Sequence, residues 1–245
     1  MVILKVQNLI KKYGGRTVVD GVSFHVDQGE IVGLLGRNGA GKTTSFRMTI
    51  GMVTPNDGQV VFEGHDVSRL PMYKRARLGM GYLSQDPSVF QRLTVEQNLM
   101  AILETRPLSR ASQKAEAERL MAAFGLAKLR TQHARTLSGG ERRKLEIARA
   151  LITEPSLILL DEPFSGVDPV AVEELQAEIR RLRDEENIAI LITDHNVERT
   201  LEVCDRAYII HEGQVLRHGP PKELVNDELV RKIYLGQTFR GDEFD

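Results

Sequence analysis

The stretch "GRNGAGKT", residues 36–43, constrains this chain more than any other. It matches G-x-x-x-x-G-K-T and sits where that pattern has meaning. Before it, "GEIVGLLG" reads as a buried strand. After it, "KTTSFRMTIGM" reads as a helix. A glycine-rich turn between strand and helix points successive backbone N–H groups inward, and the positive end of the helix dipole adds to them. Gly36, Arg37, Asn38, Gly39, Ala40 and Gly41 would form the cradle. Lys42 would reach the β- and γ-phosphates of a nucleotide, Thr43 would ligate Mg²⁺ through its hydroxyl, and Thr44 would add a donor. The plain alternative, a strand–helix turn with a surface lysine, lacks a reason for the whole pattern in this context.

The rest of the chain supplies the sheet that such a turn requires. "VVDGVSFHV" alternates apolar and polar residues, "QVVFEG" and "GMGYLSQ" are strand candidates, and "TPNDG" is a turn. "SLILLDE" and "IAILITDH" are short apolar runs typical of buried parallel strands. "VAVEELQAEIRRLRDEE" is a helix with Val172, Leu175, Ile179 and Leu182 on one face, and "NVERTLEVC" is a second. "AYIIHEGQVLRHG" reads as a hairpin about Glu212 and Gly213, and "PPKELVNDELVRKIYLG" as one or two terminal helices. Strands alternating with helices predict a mostly parallel sheet covered on both faces. Residues 94–152 differ: "TVEQNLMAIL", "SQKAEAERLMAAFG" and "GGERRKLEIARALI" are all helical, so this block is read as an insertion.

Bulk properties remove several function classes. The chain has 245 residues, enough for one α/β domain with a real core. Its net charge of −1 gives no surface field for a polyanion, so nucleic acid is not expected as a partner. Cys204 is the only cysteine, which excludes an internal disulfide and fits a reducing cytoplasm. The opening "MVILKVQNL" is too short in apolar residues for a signal peptide, and no apolar run reaches the ~18 residues of a membrane span. Direct membrane insertion is not expected.

Other residues complement the loop. In "LILLDE", Asp161 ends a strand and can hold Mg²⁺, while Glu162 can act as general base on the attacking water. His195 follows the next buried strand, at the sheet edge where ligands bind in such folds. It can contact the γ-phosphate or simply cap a helix. Gln85 can ligate Mg²⁺ and the lytic water or be an ordinary polar strand end. Tyr13 can stack on a purine or cover the β-rich region. A second anion-binding turn opens "LSGGERRKLEIARAL": Ser138, Gly139 and Gly140 precede a helix but have no lysine and no metal-ligand pattern. They do not make a nucleotide site unaided. If they face away from residues 36–43, a second copy must complete each site, giving a twofold homodimer glued by ATP.

Taken in order, "GRNGAGKT", Gln85, "LSGGE", "LILLDE", "SGVD" and His195 resemble the ATP-binding cassette ATPases over nearly the whole chain. The resemblance implies a P-loop NTPase (RecA-like) α/β core with an N-terminal antiparallel β subdomain (residues 1–90 and 154–236 together) and an inserted α-helical subdomain (about 91–153). A polar tail, residues 237–245, would follow. It implies that Tyr13 stacks on adenine and that Ser138 and Gly140 meet the γ-phosphate held by the opposite subunit. Asp168 would lie at the dimer seam, although Asp followed by Pro is also a common helix start. Glu141 and Arg37 depart from the commonest family pattern without removing a backbone donor.

"RLGMGYLSQDPSVFQRLTVEQNL", "ITDHNVERTL" and "IYLGQTF" are similar to the branch of the family that powers bacterial lipopolysaccharide export, with Ser84 a small departure. That likeness implies a cytoplasmic subunit peripheral to the inner membrane. It would be docked on integral membrane permease subunits through residues 86–92, with Phe90 as an exposed anchor or, alternatively, a core residue. ATPases of branched-chain amino acid uptake are the nearest competing branch. Soluble cassette proteins of DNA repair or translation usually carry coiled coils, cysteine pairs or a second cassette, which this chain lacks. Glu162 and His195 argue against a pure binding module.

Overall fold

The computed structural model describes residues 1–235. The tail expected over residues 237–245, and the end of "IYLGQTF", lie outside the described residues. In chain order the strands are β1 (Val2–Tyr13), β2 (Arg16–Asp27), β3 (Ile31–Gly36), β4 (Asp57–Phe62), β5 (His65–Asp66), β6 (Met80–Leu83), β7 (Leu157–Asp161), β8 (Ala189–Thr193), β9 (Arg206–His211) and β10 (Gln214–Gly219). The helices are α1 (Lys42–Ile50), α2 (Met72–Arg77), α3 (Val95–Leu103), α4 (Arg110–Ala123), α5 (Gly139–Leu151), α6 (Pro169–Asp184), α7 (Val197–Leu201), α8 (Pro221–Asn226) and α9 (Glu228–Val230), followed by a π-helical turn, Arg231–Leu235. The sequence reading contains all of these except β5, α2 and the 3₁₀ turns; it marks β1 only as part of a β-rich region and reads the π-helical turn as ordinary helix. "MYKRAR" carries no apolar periodicity, so nothing in its pattern marks it as a helix.

Two sheets organise the molecule. One is antiparallel, in the order β2-β1-β4-β5. The other runs β10-β9-β3-β8-β7-β6, with only β10 antiparallel to its neighbour. The central strands are apolar up to their last residues, Asp161 in β7 and Thr193 in β8, because both faces are covered. Alternate residues go to opposite sides. Leu157, Leu159, Ala189, Leu191, Val32 and Leu34 join the core shared with α1 and the antiparallel sheet. Ile158, Leu160, Ile190, Ile192 and Ile31 join the core shared with α5 and α6. Each such leucine, isoleucine or valine contributes about 1.5–3 kcal/mol on burial.

The helical block over residues 94–152 is not a separate apolar unit. Its Leu99, Leu120, Phe124 and Leu145 belong to the same buried cluster as Ile158 and Ile190 of the parallel sheet. Its helices start as their sequences require. Thr94 and Gln97 form a capping box for α3, Ser138 and Glu141 one for α5, and Ser109 caps α4. Cys204 is buried, and burial pushes its thiol pKa up.

Candidate active site

Parallel register aligns the strand ends that matter. Leu83 pairs with Leu160, Asp161 with Thr193, and Gly36 with Ile210. Gln85, Glu162, His195 and the glycine-rich loop therefore leave one edge of the sheet side by side, from β6, β7, β8 and β3. The loop itself is tight. Gly41 has φ +105, and a Cβ there would stand 2.8 Å from the Val18 carbonyl oxygen, so only glycine fits. The tip of the β9–β10 hairpin seats on the loop: the Gly213 amide donates to the Ala40 carbonyl at 2.9 Å, and the Asp20 amide donates to the Gly213 carbonyl at 2.8 Å. A cavity of about 680 Å³ opens above, lined by Thr17, Val18, Arg37, Asn38, Gly39, Glu212 and others of the same segments. The contribution of Glu212 and Gly213 is not evident from sequence, where they read only as a turn.

Lys42 is buried at the base of α1. Its ammonium donates to the Gly36 carbonyl at 2.5 Å and the Arg37 carbonyl at 3.1 Å. Burial lowers its pKa, and Glu162 and Asp194 oppose that effect. Asp161 is also buried, so desolvation raises its pKa, and the Tyr82 hydroxyl donates to its Oδ2 at 3.3 Å. The same burial pushes Tyr82 up to about 12.

Glu162 adopts a left-handed backbone, φ +46, with its amide donating to the Thr193 carbonyl at 2.7 Å. That conformation costs a non-glycine residue on the order of 1 kcal/mol and is imposed by the surrounding structure. It turns the carboxylate toward Gln85, whose Nε2 donates to Glu162 Oε2 at 2.8 Å. His195 Nδ1 lies 3.4 Å from Glu162 Oε2 and 3.4 Å from Asp194 Oδ1. Asp194 is fully buried and accepts the Phe164 amide at 3.1 Å and the Asn196 amide at 2.8 Å, tying the loop after β7 to the loop after β8. Sequence reasoning passed over it; an acid beside the histidine in "TDH" was the available signal.

The other expected residues lie outside the cavity above the loop, although Gly139 lines a smaller one of about 130 Å³ with Gln85 and Glu162. Ser138 and Gly139 are exposed, and neither they nor Gly140 line the cavity above the loop. Ser138 Oγ accepts the Glu141 amide at 3.2 Å, and Glu141 Oε2 accepts the Ser138 amide at 2.8 Å. The acid at 141 thus serves the cap and suits the positive helix end. Asp168 caps α6 through the Ala171 amide at 3.1 Å. Tyr13 ends β1 half-exposed, with the Lys11 ammonium 5.3 Å from its ring.

Phe90 is 45 % exposed, which decides between its two readings in favour of the surface. Arg149 of α5 stacks over its ring at 4.6 Å and donates to the Ser88 carbonyl at 2.7 Å. Fully buried Asn98 accepts the Phe90 amide and donates to the carbonyls of Phe90, Leu93 and Thr94. Arg143 bonds the Ser84 carbonyl and Glu146, which accepts the Ser88 amide. Helix α5 therefore holds the segment that carries Gln85 at one end and Phe90 at the other. Beside it lies a groove of about 280 Å³ between α2, β6 and α5.

The family model described as "ABC transporter" matches residues 19–165, which spans the loop, the Gln85 segment, the turn at Ser138 and Glu162. The chain belongs to the ABC transporter family. Within that family it is 51 % identical over 238 residues to the lipopolysaccharide export system ATP-binding protein LptB of Acidithiobacillus ferridurans, covering 97 % of this chain and 98 % of the relative. It is also 51 % identical over 241 residues to LptB of Escherichia coli K12, covering 98 % and 100 %. Among solved structures, the ADP conformation of MJ1267, an ATP-binding cassette of an ABC transporter, superposes with a TM-score of 0.86 at 29 % identity, covering 97 % of this chain and all of that one. As an ABC transporter cassette the chain binds ATP. No helix among the described residues is long and apolar enough to cross a membrane.

Proposed function

We propose that this chain is the ATP-hydrolysing subunit of a bacterial lipopolysaccharide-export transporter, powering extraction of lipopolysaccharide from the inner membrane toward the outer membrane. The observation that carries it is 51 % identity along 97 % of the chain to an export ATP-binding protein, with Lys42, Gln85, Glu162 and His195 all on one sheet edge. In this reading Glu162 takes a proton from water as the water oxygen bonds to the γ-phosphorus. The bond to the β-phosphate bridging oxygen breaks, and ADP and inorganic phosphate form. Gln85 and His195, both beside Glu162 Oε2, orient the water and the γ-phosphate. Lys42 and the loop amides balance phosphate charge.

Thr43, Gln85 and Asp161 would hold Mg²⁺, which supplies charge neutralisation on the phosphate oxygens when bound. The residues fit. All three offer oxygen, and Asp161 is a buried carboxylate whose ionised form a cation would favour. Among the described residues no group of three or more His, Cys, Asp or Glu side chains is arranged to hold a metal ion, so such an ion would share phosphate and water ligands. Ser138, Gly139 and Gly140 complete the site of a second copy, with Asp168 at the seam, so closure of the homodimer follows ATP binding. The segment 86–92 and the adjacent groove take the membrane subunits from the cytoplasmic side. Affinity purification of the full chain from its native membranes checks this. Co-isolation of membrane subunits whose vesicles release lipopolysaccharide with ATP is the expected result; subunits that move only a small solute would overturn it.

A further inference from the structure

Helix α2 is short, and Arg75 is its only buried residue, at 1 % exposure. What holds it to the molecule is therefore largely one guanidinium. That group reaches the phosphate-loop helix. Arg75 NH1 donates to the Met48 carbonyl at 2.9 Å and the Thr49 carbonyl at 2.6 Å, both in the last turn of α1. Arg75 Nε donates to the Leu70 carbonyl at 2.8 Å and NH2 to the Ser68 carbonyl at 3.1 Å. The final carbonyls of a helix have no partner within it, and a cation there also suits the negative helix end. Gly51 makes the approach possible: a Cβ at that position would lie 2.6 Å from Arg75 Nε. Among the described residues no carboxylate bonds the guanidinium, and burial lowers its pKa to about 10.

The outer side of α2 faces elsewhere. Met72 and Ala76 line the groove whose other walls are β6 and α5, and Tyr73 beside them is 55 % exposed. One small helix thus has the groove on one side and the end of α1 on the other. We propose that Arg75 is a positioning residue that couples this groove to the phosphate loop, so that a partner seated against α2 is felt at the nucleotide through α1. The transport significance rests on the function proposed above; the coupling itself is a property of the isolated chain. By thermodynamic reciprocity, nucleotide bound at the loop must also be felt at α2.

The chain has no tryptophan, so Tyr73→Trp places a single reporter on α2. Mg²⁺-ADP is the probe, with affinity measured independently by calorimetry. We expect ADP to shift Trp emission in the Tyr73→Trp chain. Adding Arg75→Lys should cut that shift by about half or more while ADP affinity changes by less than about threefold. No shift in the parent despite bound ADP, a full shift with Arg75→Lys, or a larger loss of affinity each overturns the proposal. If Arg75→Lys does not fold, hydrogen exchange of the unmodified chain decides. ADP should slow exchange over residues 72–77 as well as 36–43, and protection of the loop alone refutes the coupling. No membrane subunit enters either measurement, so a failure of the docking reading leaves them unaffected.

Discussion

Two glycine-rich turns open helices in this chain, and they differ in what surrounds them. The loop 36–43 sits on the edge of a parallel sheet, is roofed by the β9–β10 hairpin and buries Lys42. The turn at Ser138 is exposed and satisfies its own first amides through its capping box. Both open a helix whose dipole favours an anion. The first lies in a cavity of about 680 Å³ walled by its own chain, whereas at the second Gly139 lines one of only about 130 Å³ beside Gln85 and Glu162. A helix N-terminus becomes a site through what encloses it, and in the function proposed above the second turn finds the rest of its enclosure on another molecule.

The strongest way to break that contrast is to disable the enclosed side alone. Glu162→Gln should retain ATP binding and lower turnover about 10²- to 10⁴-fold, because an amide cannot accept the proton. Unchanged steady-state turnover would remove Glu162 from the base role. Mixing variants sharpens the contrast further. Ser138→Arg should also be inactive, yet combined with Glu162→Gln chains in equal amounts it should restore roughly a quarter of normal turnover. Half of the random pairs then contain one intact composite site out of two. No recovery on mixing, with pairing verified, would mean that each chain works alone.

A third change addresses the helix behind the exposed turn. Phe90→Ala removes the ring under Arg149 and should weaken capture of the membrane subunits by about tenfold or more, a hot-spot loss. ATPase activity of the isolated protein should persist; equal loss of both would make Phe90 structural. The smallest effect lies remote from both turns. Burial, and then the Arg206 guanidinium, lower the pKa of His25, whose Nδ1 lies 3.1 Å from the Tyr208 hydroxyl. The fold therefore keeps it neutral, and its stabilisation is complete above the unfolded value of 6.5 and lost as pH falls through the folded one. His25→Gln should flatten thermal stability between about pH 7 and pH 5 while both turns go on working. An unaltered pH profile would show that His25 contributes nothing.

Most of the sheet was legible because its strands are short apolar runs bounded by turns, and the loop was legible because its pattern sits between a strand and a helix. The individual acids were legible as strand ends. What escaped has a common cause: it depends on contacts across long stretches of chain. Asp194 matters because Phe164 and Asn196 converge on it, and Glu212 and Gly213 because the hairpin folds back onto residue 40. Helix α2 has no periodic apolar face, since a buried guanidinium does the work that leucines do elsewhere. Phe90 was ambiguous because an aromatic beside a helical block suits a core or a surface equally. Only its exposure in the folded chain separates them.

One last consequence belongs to Cys204. A sulfhydryl sealed inside the protein and held in its uncharged form is a poor target for alkylating dyes and peroxide alike. A cysteine introduced on either glycine-rich turn would then be the one handle available to a label or a crosslinker in the folded chain. The meeting of two copies can accordingly be followed on a background that nature has already silenced.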